Sequence, residues 1–138
     1  MDRRNPYTLS VLPPSHPENE DESRVVIQGR LREFILAFQI DNSFIYRDQL
    51  RQNVLIKRYL CDVDIAHLIS YNGELAHKLT TEPADIIPLF ENALKQCTQH
   101  IVYPSQRDIE LPPHQLLLHS SAAHTSIRDL SATNLSRL

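Results

Sequence analysis

The chain has 138 residues, a formal charge of -3, two glycines, two cysteines and nine prolines. Leu, Ile, Val and Phe account for 41 of the 138, enough apolar material for one folded domain. Two glycines, Gly29 and Gly73, cannot build a G-x-x-x-x-G-K or G-x-G-x-x-G loop, so phosphate-loop and Rossmann nucleotide chemistry is excluded.

Cys61 and Cys97 do not stand in C-x-x-C spacing, so this chain alone supplies no zinc knuckle or ribbon. Both read as reduced, mostly structural thiols of a cytosolic or nuclear protein. The longest apolar run is Phe34 to Phe38, far short of a membrane span or signal peptide.

Residues 1–23 hold four prolines and an acidic cluster, Glu18, Glu20, Asp21 and Glu22, and read as a disordered tail. The folded part is expected over 24–103. Its first helix is expected from Arg24 to Ile40, with Ser23 as N-cap. Ile27, Leu31, Phe34 and Phe38 form its apolar stripe. Asp41-Asn42-Ser43 is a turn cluster. A second helix follows near Ile45–Leu55, with Tyr46, Leu50 and Val54 on one face.

Alternation over Arg58–Val63 predicts a short strand. Asp64 caps a short helix carrying Ile65, Leu68 and Ile69. Asn72 caps another over Glu74–Leu79. Thr81 or Glu82 caps a longer one, with Pro83 in its first turn. Ile86, Phe90, Ala93, Cys97 and Ile101 are its buried stripe, and Pro88 should bend it. Residues 104–138 read as loop, a short strand at Gln115–His119, polar linker and a final helix from Ser126. The fold class is mainly α: a bundle of about five helices with one to three short strands. Phe34, Leu50, Leu75, Leu79 and Phe90 are expected to meet in its core.

The seven histidines include no H-E-x-x-H, and neither His67 nor His77 stands in a ligand pattern. Pairs such as Cys61 with His67 or Cys97 with His100 lack a flanking catalytic motif, and no G-x-S-x-G is present. No catalytic, cofactor or metal residue is assigned. Arg47, Arg51, Lys57 and Arg58 are the candidate partner- or DNA-facing set; the plainer reading is a solvated helix face with intrahelical ion pairs. An autonomous DNA-binding module is the alternative function. With no basic segment, the electrostatic attraction to DNA is weak.

The stretch Phe44-Ile45-Tyr46-Arg47-Asp48-Gln49-Leu50-Arg51-Gln52-Asn53 resembles the N-terminal region of the minichromosome maintenance (MCM) proteins, subunit five in particular. The resemblance continues through Tyr59–Asp64, His67–Asn72, Glu74–Leu79 and Pro83–Glu91. It closes at Ile127-Arg128-Asp129-Leu130. Ala37, Gln39 and Gly73 depart from the family pattern on helix surfaces.

The resemblance implies a non-catalytic N-terminal helical subdomain of a replication-licensing helicase subunit. It would act in the nucleus, on chromatin when loaded, through contacts with other MCM subunits in a hetero-hexameric ring. Replication factors such as helicase activators would also be partners. DNA would be bound weakly at most by this segment, and no membrane is involved. ATP, magnesium and zinc would be bound by other parts of a full-length member; the chain's end at Leu138 reads as a cut ahead of an oligonucleotide-binding barrel. Pro83 is expected to set the orientation of the two helices that it separates.

Overall fold

The computed structural model describes residues 17–121, with side chains from residue 23 onward. The five helices are α1 (Pro17–Ala37), α2 (Ile45–Leu55), α3 (Ile65–Tyr71), α4 (Gly73–Thr81) and α5 (Pro83–Val102), and the two strands are β1 (Leu60–Asp64) and β2 (Gln115–His119). The class is the expected one, mainly α with a minimal sheet. Residues 1–16 of the expected tail and the expected helix from Ser126 lie outside the described residues.

The first helix begins earlier than expected. It starts at Pro17, so Ser23 is an interior residue and not a cap, and it ends at Ala37, not Ile40. A proline followed by acidic residues is the order that favours a helix start: proline presets the first helical φ, and negative charge suits the N-terminal dipole. The residues read as the end of a tail are the opening turns of α1.

Asp41 and Asn42 both take positive φ, 51° and 68°, between Ile40 and Ser43, which exchange backbone bonds of 3.0 and 2.9 Å. Asp and Asn tolerate this left-handed turn geometry better than most residues. The turn delivers α2 against α1. Leu31, Phe34 and Ile35 of α1 are fully buried. Phe34 is where the helices meet: its ring centroid lies 5.3 Å from those of Phe38, Tyr46 and Tyr71, and 6.4 Å from Phe90. All five expected core residues belong to one buried cluster.

β1 and β2 pair in parallel, Leu60 opposite Gln115 through Asp64 opposite His119. A parallel pair requires a crossover, here α3, α4 and α5 in succession. The outer edges of this two-stranded sheet are covered by helix side chains. On β1, the Gln49 amide donates to the Asp62 carbonyl (3.1 Å) and accepts from the Asp62 N–H (2.6 Å), while Asn53 donates to the Leu60 carbonyl (3.0 Å). On β2, the Leu116 N–H donates to Glu91 (3.0 Å). Polar groups that an edge strand would leave open are thereby bonded.

Asp64 ends β1 and caps α3, accepting from Ala66 N–H; Asn72 caps α4, accepting from Glu74 and Leu75. Glu82 holds the N-cap position of α5 without a side-chain cap bond. Thr81 belongs to α4 and donates its hydroxyl to the His77 carbonyl (2.8 Å). Pro83 is the first residue of α5, and the helix continues as one element through Pro88. Ile86, Phe90, Ala93 and Cys97 are buried as expected; Ile101 is half-buried.

Candidate interaction surface

Asp64 is buried at the C-terminal ends of the strands. Its carboxylate accepts from the Ser121 hydroxyl (2.6 Å) and the Ala66 N–H (2.9 Å). The Asp64 N–H in turn donates to the Tyr46 hydroxyl (3.0 Å), which lies 2.6 Å from His67 Nδ1. His67 Nε2 is 3.6 Å and His119 Nε2 3.9 Å from the same carboxylate, and His119 Nδ1 is 2.7 Å from Asp62. Burial alone would raise the Asp64 pKa, but the bonds from Ser121 and Ala66 and the His67 ring outweigh it and hold the group below the ordinary 3.8. The Tyr46 phenol is pushed upward, chiefly by burial.

This network ties α2, β1, α3 and the exit of β2 together. Sequence reasoning found Asp64 as a cap but not its partners, which come from residues up to 57 positions away. Neither cysteine is an activated nucleophile: burial drives the Cys61 thiol upward and pushes Cys97 up to about 12. Among the described residues, no group of three or more His, Cys, Asp or Glu side chains could hold a metal ion. No described helix is long and apolar enough to cross a membrane.

The four candidate basic residues lie on α2 and the turn after it, but they are not equivalent. Arg47 stacks over the Phe44 ring, 5.1 Å from its centroid, a cation–π contact. Arg51 pairs with Asp48 at 3.1 Å on an exposed face, as the plainer reading expects. Lys57 and Arg58 are exposed in the turn. That turn closes α2 with the Arg58 N–H on the Asn53 carbonyl (2.8 Å) and the Lys57 N–H on the Val54 carbonyl (2.9 Å), the Schellman pattern. The pattern puts Lys57 at φ 60°, where glycine is the usual occupant and an L side chain costs about 1–2 kcal/mol.

Between these cations stand the two residues sequence reasoning missed. Leu55 is 78% exposed and Ile56 63% exposed. Leu55 falls just off the buried stripe of Tyr46, Leu50 and Val54, and that offset was the available signal. An apolar pair flanked by Arg51, Lys57 and Arg58 makes a corner suited to a protein partner, and it offers no aromatic stacking platform for bases.

The MCM N-terminal domain model matches residues 28–129, nearly the whole described fold. The chain belongs to the MCM family. Among its MCM relatives, the DNA replication licensing factor Mcm5 of Drosophila melanogaster is 30% identical over 126 residues, covering 88% of this chain and 17% of that protein. Mcm5 of Dictyostelium discoideum is 36% identical over 98 residues, covering 71% of this chain and 13% of that protein. The chain therefore spans less than a fifth of these MCM relatives. It corresponds to the non-catalytic N-terminal region of the family.

Proposed function

We propose that this chain is a protein-contact module of a replication-licensing subunit, acting in DNA replication within the nucleus. Its partners are other MCM subunits in a hetero-hexameric ring, together with replication factors such as helicase activators. The exposed Leu55–Ile56 corner beside Lys57 and Arg58 carries this reading: burying that apolar pair stabilises a complex, and the cations give it direction. ATP, magnesium and zinc belong to other regions of a full-length subunit.

Pro83 serves as the orientation junction. It is exposed at the first position of α5, directly after Glu82, and its ring restricts the residue before it. In the full-length subunit, Pro83→Leu should keep the domain folded and change ring assembly or origin activation.

The contact reading is tested by co-expressing the tagged chain with the remaining MCM subunits. Co-purification of at least one subunit at salt near physiological strength is expected. A chain that elutes alone under every condition would remove this reading.

A further inference from the structure

A groove runs along one side of the α1–α5 seam, crossed by two exposed side-chain bonds, Arg32 Nη1 to Gln96 Oε1 (3.0 Å) and Asn92 Nδ2 to Gln28 Oε1 (3.2 Å), which a bound segment would lie over or exchange. At one end Arg24, Val25 and Gly29 of α1 face Leu89 of α5. It then passes Asn92 and Lys95. It opens into a cleft of about 440 Å³ where Arg32 and Lys95 meet Arg107, with Ile109 and Leu111 as its apolar side. From Leu89 to His100 it follows α5 for about 16 Å at 1.5 Å per residue. That is room for about five residues of extended chain.

Its charge is one-sided. Arg24, Arg32, Lys95 and Arg107 line it, and they outnumber the carboxylates among its described lining residues, where Glu91 stands alone and accepts from the Leu116 N–H at 3.0 Å. This contrasts with the chain's formal charge of -3. Its apolar elements are Val25, 71% exposed, with Leu89 and Ile109 half-buried.

Gly29 is the second observation. A glycine inside a helix costs about 0.5–1 kcal/mol relative to alanine, and Gly29 has no positive φ to justify it. Nor does close packing: a Cβ there would meet only the end of the Arg32 side chain, at 3.9 Å. The space above Gly29 is open and lies in the groove wall.

We propose that this groove docks an acidic peptide segment of a partner protein, with carboxylates on Arg32, Lys95 and Arg107 and an apolar side chain over Gly29 and Leu89. A nucleic acid strand is the poorer occupant, because among the described residues no Phe, Tyr or Trp lines the groove for base stacking. The proposal rests on the contact reading and gives it a second surface, remote from Leu55 in sequence and on different helices.

The test is selection of a displayed random-peptide library on the immobilised chain, in parallel with Gly29→Leu and the charge-reversed Arg32→Glu/Lys95→Glu. Peptides rich in Asp, Glu and Leu should be enriched on the wild type and lose about tenfold in affinity, equivalent to about 1.4 kcal/mol, on either variant. Gly29→Leu should melt no lower than the wild type, since leucine is the better helix former. Absence of acidic enrichment, or variants that bind the selected peptides as tightly as the wild type, overturns the proposal. So does displacement of the selected peptides by a single-stranded oligonucleotide, which reassigns the groove to nucleic acid. Co-purification with MCM subunits is measured separately, so failure here leaves the contact reading standing.

Discussion

The Thr98 hydroxyl lies 2.9 Å from His114 Nε2, joining the buried face of α5 to the residue that precedes β2. His114 Nδ1 is 2.9 Å from the Pro112 carbonyl. A carbonyl only accepts, so Nδ1 carries the proton, and the neutral ring accepts at Nε2 from Thr98. Burial, with Lys95 adding to it and the Pro112 bond opposing it, lowers the His114 pKa below the ordinary 6.5. Below 6.5 the unfolded chain therefore binds this proton more readily than the native one, and stability falls as pH drops toward the native value. Urea unfolding should show His114 lowering stability as the pH falls below about 6.5, and His114→Gln should flatten that slope. Thr98→Val leaves buried Nε2 without its donor and should cost about 1–3 kcal/mol.

Phe90 is fully buried against Phe34. Phe90→Ala removes a large side chain from the junction of α1 and α5 and should cost about 3–5 kcal/mol. A thermal melt superimposable on the wild type would mean that these helix faces do not pack as described.

Lys57 holds a left-handed backbone conformation that favours glycine. Lys57→Gly should therefore raise stability by up to about 1 kcal/mol while removing a cation from the corner beside Ile56. Denaturation midpoints of the two proteins decide this. A loss of stability would mean that the Lys57 side chain contributes packing that outweighs the backbone strain.

The helices were legible wherever a local signal existed. Asp64 and Asn72 announce their caps, Pro83 announces α5, and the Phe34 and Phe90 stripes identify the core. The start of α1 was misread because prolines and acidic residues mark both tails and helix openings. Pairing was not legible at all. Gln49 and Asn53 look like ordinary exposed helix polar residues, and only the fold shows them bonding the edge of β1. The charged set was visible in the sequence, but the apolar pair between its members was not. In the apolar run Val54–Ile56 the one signal was the offset of Leu55 from the Tyr46, Leu50 and Val54 stripe, and nothing local marks Ile56 as exposed.

The chain should bind duplex or single-stranded DNA more weakly than about 10 μM at physiological salt. Arg51 is already paired with Asp48 and Arg47 is stacked on Phe44, which leaves few free cations on α2. Fluorescence anisotropy with labelled oligonucleotides measures this. A sub-micromolar affinity that survives added salt would favour an autonomous DNA-binding module.

The central claim is that the corner at the end of α2 is a contact surface, and a double variant tests it most directly. Leu55→Asp/Ile56→Asp changes two exposed side chains and should leave the melting curve within the small range usual for surface substitutions, about 0.5 kcal/mol. Co-purification with the other MCM subunits is then compared for wild-type and variant chains at equal expression. The expected result is a folded variant that loses the partner captured by the wild type. A folded variant that captures the same partner in the same amount would contradict the claim.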